Sequence, residues 1–90
     1  MRLQKPEDLF LDFWVVRVRE FRVKMSLSQE DLAEKLRINV RNYQKLERGV
    51  HKPSAITLLF FLNLLPDQEL LAFVHTFGKL ADTGQSEEVA

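Results

Sequence analysis

The stretch that decides the fold is Leu27-Ser28-Gln29-Glu30-Asp31-Leu32-Ala33-Glu34-Lys35-Leu36, followed by Leu46-Glu47-Arg48-Gly49 and Pro53. Ser28 is a favoured residue at the start of a helix, and Asp31 stands three positions later, where a capping box is completed. The apolar residues of the first run recur at helical spacing. The stretch therefore predicts two short helices joined by a tight turn, with the second helix ending at Gly49.

The composition bounds the class of protein. Ninety residues, of which 46% are hydrophobic, are enough for one domain with one modest core. The chain has no cysteine, which excludes disulfides and thiolate metal sites and is compatible with a reducing cytoplasm. No apolar stretch reaches the ~18 residues of a membrane span, and the first residues lack a signal-peptide pattern. We therefore expect a cytoplasmic protein with no membrane association.

The charges are balanced in number but not in position. The chain has 13 basic and 13 acidic residues, and its net charge is zero. Residues 17–52 nevertheless hold ten of the basic residues and only five of the acidic ones. A local cationic face attracts a polyanion even when the net charge is zero. The charge pattern is therefore compatible with binding to a nucleic acid.

The apolar pattern, the caps and the helix breakers predict helices throughout and no strand. The predicted helices cover about residues 7–24, 29–36, 40–48, 55–65 and 67–79, and the two-helix unit lies at about 28–48. We expect an all-α, compact five-helix bundle that forms a single domain over residues 1–81. Residues 82–90 are small, polar and acidic, and they are predicted to form a flexible tail.

The first and last helices have more apolar residues than a single buried face of a helix can accommodate. They predict a contact between these two helices, made by Phe10, Phe13 and Trp14 on one side and Phe73, Val74 and Phe77 on the other. The fourth helix keeps a surplus that this contact does not cover, namely Ile56, Leu59, Phe60 and Leu64. Since an exposed apolar patch marks a partner surface, these four residues are predicted to form a dimer or partner interface.

The third helix is cationic on one side. Arg41, Lys45 and Arg48 are spaced at i, i+4 and i+7, which places them on one face, while Tyr43 and Leu46 are turned toward the core. A solvated charged face is the ordinary explanation of such a run. The alternative is a helix that enters a DNA groove, and the spacing together with the local cationic excess favours it.

At about a dozen positions with fixed spacing, the chain resembles the XRE family of lambda-repressor-like and Cro-like helix-turn-helix proteins. The matching residues are Val18, Arg19, Phe21, Arg22, Leu27-Ser28-Gln29, Leu32-Ala33, Leu36, Ile38, Leu46-Glu47-Arg48-Gly49, Pro53-Ser54 and Thr57-Leu58. The resemblance covers about residues 17–65. It implies a lambda repressor-like DNA-binding domain, a bundle of four or five helices that binds operator DNA as a two-fold dimer.

The resemblance, read together with side-chain chemistry, also implies site residues. The candidates for contact with base edges are Val40, Arg41, Gln44 and Lys45, of which Arg41 suits guanine and Gln44 suits adenine. The candidates for contact with phosphates are Gln29, Arg37, Asn39, Arg48, His51 and Lys52. Asn39 is foremost a helix cap, and a phosphate contact is its secondary role.

Five positions depart from the family pattern, and three of them, Ile56, Phe60 and Leu64, are apolar where the fourth helix usually carries polar residues. Arg37 stands where the turn usually holds glycine, so its backbone is expected to be left-handed at some energetic cost, or the turn is reshaped. Tyr43 stands where the third helix usually holds a smaller aliphatic residue, and its hydroxyl needs a hydrogen-bond partner or a water-exposed edge.

Two functions from different classes follow from these patterns. The favoured one is a transcriptional repressor that binds a palindromic operator as a homodimer. The alternative is an antitoxin that binds a second protein and regulates its own operon. That second protein is a toxin or, alternatively, an antirepressor. The apolar stripe at Leu70, Leu71, Phe73, Val74 and Phe77 separates them, because burial of this stripe favours the repressor and exposure favours the antitoxin.

No enzyme is expected from this chain. It shows no nucleophile paired with a base, no glycine-rich phosphate loop and no tuned pair of carboxylates. His51 and His75 are far apart in sequence and have no accompanying cluster of metal ligands. His51 is instead expected in a loop near the DNA, and His75 is expected to be partly buried on the last helix. We therefore predict no catalytic residue, no metal, no cofactor and no small-molecule ligand.

Overall fold

The computed structural model describes residues 4–85, and every regular element among them is a helix. The five helices are α1 (Pro6–Lys24), α2 (Gln29–Leu36), α3 (Val40–Glu47), α4 (Ala55–Leu62) and α5 (Asp67–Thr83). The described chain is compact, with a radius of gyration of 13.1 Å. These elements confirm the predicted all-α bundle with a helix-turn-helix at its centre.

Side-chain caps start three of the helices where the sequence predicts. The Ser28 hydroxyl accepts from the Asp31 amide, and the Asp31 carboxylate accepts from the Ser28 amide, each at 3.0 Å. Asn39 accepts from the Asn42 amide at 2.8 Å and begins α3. Ser54 begins α4 in the same way. Since each cap satisfies an amide that has no partner inside its helix, the helix starts are fixed locally.

The ends of the last two helices differ from the prediction. The α4 helix ends at Leu62, three residues early, and turns lead to Pro66. The α5 helix continues past 79 to Thr83, because Leu80 still packs on the core and Gly84 supplies the left-handed C-cap at φ 69°. Residues 82 and 83 of the predicted tail thus belong to α5, and residues 86–90 lie outside the described residues.

Aromatic rings join α1, α4 and α5 into the core. The ring centroids of Phe13 and Phe73 lie 4.9 Å apart, and those of Phe10 and Phe77 lie 5.7 Å apart. These contacts confirm the predicted packing of α1 on α5 for four of the six residues. The Trp14 ring instead packs edge-on against Phe61 of α4 at 5.1 Å.

Two residues of α5 lie elsewhere than expected. Val74 was predicted to pack on α1, but 54% of its surface is exposed, because α5 turns Phe73 and Phe77 toward α1 instead. His75 is also exposed, although a partly buried position was expected. The stripe chosen to separate the two functions is therefore split between a buried side and an exposed side.

The turn between α2 and α3 has the left-handed residue that the sequence predicts. Arg37 lies at φ 63° and ψ 39°, and the following amide, that of Ile38, donates to the Ala33 carbonyl at 3.0 Å. The Arg37 guanidinium lies over the Phe60 ring, 4.3 Å from its centroid. The side chain thus lies on α4, whereas the sequence predicted a phosphate contact.

Candidate nucleic-acid interface

The two sides of α3 differ as predicted. Tyr43 and Leu46 are buried in the core, whereas Arg41 and Arg48 are exposed and Lys45 is half-buried. Because the inward side holds α3 firmly on the bundle, the outward side is presented at a fixed angle. This arrangement is what a helix needs in order to enter a groove that is wider than itself.

The cations of this outward side have no internal counterions. Within residues 4–85, no carboxylate lies within ion-pair distance of Arg41, Lys45, Arg48 or Lys52. On α1, by contrast, Lys24 forms an ion pair with Glu69 of α5. Positive charge without an ion-pair partner among residues 4–85 therefore lies on α3 and on the loop after it, where it attracts phosphates.

A hydrogen bond joins Gln44, a predicted base contact, to Gln29, a predicted phosphate contact. The Gln44 Nε2 donates to Gln29 Oε1 at 3.1 Å, which links α3 to the first residue of α2. A primary amide has two N–H donors and a carbonyl oxygen, so Gln44 keeps one N–H donor and Gln29, which accepts through its oxygen, keeps both of its own. The bond fixes the Gln44 amide and leaves its own oxygen and one N–H available.

The loop after α3 is set by a glycine. Gly49 has φ 75°, and the next amide, that of Val50, donates to the Lys45 carbonyl at 2.9 Å. A Cβ on Gly49 would lie 3.2 Å from a methyl of Val15 on α1, which is tighter than ordinary contact. The loop is thus pressed against α1, and His51 and Lys52 follow it as exposed side chains.

Glu47 has a structural role that its position in the sequence did not indicate. Its side chain is buried, and its two carboxylate oxygens accept from Arg22 Nη2 at 2.8 Å and Arg22 Nε at 3.0 Å. Arg19 Nη2 donates to the Glu47 carbonyl at 3.0 Å. Two arginines of α1 therefore hold the last residue of the candidate recognition helix. The one signal in the sequence was that Glu47 is the single acidic residue of a cationic helix.

The electrostatics of this cluster follow from the geometry. Burial pushes the pKa of Glu47 upward, but the hydrogen bonds and charge of Arg22, with the charge of Arg19, outweigh it and hold that pKa below its usual value. The same bonds to Glu47 raise the pKa of Arg22. Glu47 therefore remains charged although its side chain is buried.

Tyr43 departs from the expectation placed on its hydroxyl. The residue is fully buried, and its hydroxyl makes no hydrogen bond within the described residues. Burial raises the pKa of Tyr43, and the neighbouring Glu47 carboxylate adds to that rise. The hydroxyl therefore has neither the expected partner among the described residues nor a water-exposed edge.

The remaining candidates on α3 lie in different environments. Val40 is half-buried and packs against the core, so only part of its side chain faces outward. The oxygen of Asn39 is already used as the helix cap, although the side chain is exposed. Asn42 is exposed on α3 and was not selected from the sequence, although an amide can read a base edge.

The predicted partner surface on α4 is partly exposed. Ile56 and Leu59 are 67% and 64% exposed, whereas Phe60 and Leu64 are half-buried and pack against the core. Ile56, Leu59 and Phe60 line a groove that continues past the end of α4 to Asp67 and Leu70 at the start of α5. We call this surface the α4 groove.

The described residues contain neither a metal-binding cluster nor a membrane-spanning helix. Among residues 4–85, no group of three or more His, Asp or Glu side chains is arranged to hold a metal ion. Within the same range, none of the helices combines the length and apolar character needed to cross a membrane.

The fold and the cationic outward side of α3 define a helix-turn-helix domain. In a comparison with protein families, a model described as "Helix-turn-helix" matches residues 18–66. The match covers more than half of the chain, so this protein belongs to the XRE-type helix-turn-helix family of DNA-binding transcription regulators. Searches of curated proteins and of solved structures gave no match.

Proposed function

We propose that this DNA-binding regulator is a repressor that binds a palindromic operator as a homodimer in the cytoplasm. The observation that carries the proposal is the set of cations on α3 and the following loop that have no carboxylate partner within residues 4–85. Occupancy of the operator excludes other proteins from the same DNA, and no ligand is needed for that effect.

Sequence reading is assigned to the outward side of α3. Gln44 reads adenine, because its Oε1 accepts from the adenine amine while the Nε2 hydrogen not used by Gln29 donates to N7. Arg41 reads guanine through two parallel N–H donors. Val40 and Lys45 lie beside them and contact a thymine methyl and a base edge or the flanking backbone, respectively.

Phosphate contacts surround this reading face. Gln29 stands at the start of α2, where free amides and the helix dipole favour an anion, and its own Nε2 remains a donor. Arg48, His51 and Lys52 contact the phosphates beyond the other end of α3. Asn39 adds a weaker contact, because its oxygen is engaged in the cap.

The homodimer is proposed because one recognition helix contacts too few base pairs to specify an operator. One α3 helix touches few base pairs, and two copies related by a two-fold axis place two such helices about 34–36 Å apart, one turn of DNA. The proposed interface consists of Ile56, Leu59, Phe60 and Leu64. The exposure of Ile56 and Leu59 supports it, because large exposed apolar side chains lose contact with water when a second copy covers them.

The test is a comparison of specific and random DNA. Wild-type protein first selects its preferred duplex from a random library, and fluorescence anisotropy then measures affinity for that duplex and for random duplexes. Arg41→Ala and Gln44→Ala are each expected to lower affinity for the selected duplex by about tenfold or more, with a smaller loss on random DNA. Lys79→Ala, an exposed change on α5, is the control. Equal losses on both kinds of DNA would contradict base reading.

The antitoxin remains a second candidate because of one observation. Leu71 and Val74 of α5 are 58% and 54% exposed, and no residue of the described chain covers them. A toxin encoded beside this chain would bind there and use the same DNA-binding face for autoregulation. The test is coexpression with the neighbouring open reading frame. A stoichiometric complex that Leu71→Glu with Val74→Glu abolishes supports this function, and no complex contradicts it.

A further inference from the structure

The α4 groove has an apolar lining with one charge on its border and one in its wall. Ile56 and Leu59 are its most exposed apolar side chains. Arg37 borders the groove, because its guanidinium covers the Phe60 ring at 4.3 Å. Asp67 lines the groove as the first residue of α5. An apolar centre with charged edges is the pattern of a protein-binding surface.

Neither of these two charges has a counterion in the described chain. Arg37 and Asp67 are exposed, and within residues 4–85 neither forms an ion pair. The Arg37 guanidinium lies over the Phe60 ring and makes no side-chain hydrogen bond within residues 4–85, so its N–H donors are available. A planar guanidinium held in this way suits a carboxylate, which accepts two parallel hydrogen bonds.

A second copy of the chain supplies the complementary charges. In a two-fold dimer both copies use the same surface. If residue i of one copy contacts residue j of the other, then residue j of the first copy also contacts residue i of the second. A surface with one cation and one carboxylate is complementary to itself, whereas a surface with charges of one sign would repel its copy. The α4 groove has one charge of each sign.

We infer that a second copy of this chain covers the α4 groove, and that Arg37 of each copy pairs with Asp67 of the other. The inference rests on the homodimer of the proposed function and deepens it by assigning its polar contacts. It also moves Arg37 from the phosphate contacts, where its sequence position had suggested it, to the dimer interface.

The test is a reciprocal exchange of charge, followed by sedimentation equilibrium of the full chain. Arg37→Glu and Asp67→Arg each place like charges opposite one another twice per dimer, so each is expected to raise the dimer Kd by about tenfold or more. The double variant restores opposite charges and is expected to return within about threefold of the wild-type Kd. Lys79→Glu, a reversal on an exposed residue of α5, is the matched control and leaves the Kd unchanged.

Circular dichroism melts separate these effects from folding, because Asp67 also lies at the positive end of α5 and its reversal weakens that helix start. The Asp67→Arg single variant and the double variant both lose the same stabilisation of α5. A difference in dimer Kd between them therefore reports the charge pair between the two copies. Recovery of the dimer in the double variant supports the inference. A double variant that dimerises no better than its parents overturns it.

DNA binding provides a second test of the role of Arg37. With Arg37→Ala, the salt dependence of binding to a random duplex stays at the wild-type slope if Arg37 belongs to the interface. A slope lowered by about 0.9 unit for each half-site, with an unchanged dimer Kd, would assign Arg37 to a phosphate and overturn the inference. Wild-type protein that remains monomeric at all concentrations also overturns it, whereas base reading by Arg41 and Gln44 is tested separately on duplexes.

Discussion

Two non-glycine residues of the described chain have left-handed backbones, Ser26 at φ 56° and Arg37 at φ 63°. Both lie in the turns that flank α2, where the chain reverses within a few residues. A side chain with a Cβ in this region is strained, and glycine is not. The two positions carry similar strain but differ in what their side chains contact.

We predict that Ser26→Gly raises the free energy of unfolding by about 0.5 kcal/mol, because relief of strain exceeds the added freedom of the unfolded chain. Arg37→Gly is the matched comparison. It relieves similar strain but removes the guanidinium from the Phe60 ring, so its gain is smaller or absent. Urea unfolding measures both. A larger gain for Arg37→Gly would mean that the stacking contributes nothing.

The buried hydroxyl of Tyr43 leads to a second prediction. Tyr43→Phe keeps the ring in the core and removes a polar group that has no hydrogen-bond partner in the described residues, so the free energy of unfolding is expected to rise by about 1 kcal/mol. Thermal and urea unfolding measure the change. A loss of stability would show that the hydroxyl makes a bond to Glu47 in solution.

At the scale of elements, the partly buried ion pair between Arg22 of α1 and Glu47 of α3 has a clear energetic consequence. Arg22→Met is expected to lower the free energy of unfolding by about 3 kcal/mol, because it leaves the Glu47 carboxylate buried without its main partner. Arg22→Met combined with Glu47→Leu removes both charges and is expected to recover most of that loss. Chemical unfolding tests this, and a double variant no more stable than the single one would refute it.

The same pair sets a pH dependence. The pKa of Glu47 in the folded protein lies below its usual value of 4.5, so folding favours the charged form. Its contribution is fully present above the pKa of the unfolded chain and is lost as pH falls through the folded pKa. We expect Glu47→Gln to be less stable than wild type at pH 7, with the difference shrinking on acidification below about pH 4. A constant difference across that range would exclude the linkage.

The sequence predicted the elements well and their tertiary contacts less well. The helix starts at Ser28, Asn39 and Ser54 could be predicted because a cap depends on neighbours in the chain. The pairing of Arg22 with Glu47 could not, since the two residues are 25 positions apart and several basic residues of α1 were equally available. The direction of Arg37 depends on where α4 brings Phe60, which no local pattern specifies.

At the scale of the whole molecule, charge and assembly act together on DNA. Lys52→Ala is expected to lower the salt slope of DNA binding by about 0.9 unit for each half-site, because one fewer counterion is released. Lys79→Ala, on α5, is the control and leaves the slope unchanged. Affinity measured across a series of salt concentrations tests both. An unaltered slope for Lys52→Ala would remove this residue from the contacts with the DNA backbone.

The separation of charge has one more consequence. Ten of the 13 basic residues lie within residues 17–52 and eight of the 13 acidic residues lie outside this range, and a molecule whose charges are separated in this way has an electric dipole moment. The field of the DNA orients such a molecule before contact, so in many first encounters its cationic side already faces the DNA. The same dipole draws copies together head to tail in dilute buffer, because no net charge keeps them apart. We therefore expect moderate ionic strength to raise the solubility of the protein and to lower its affinity for DNA.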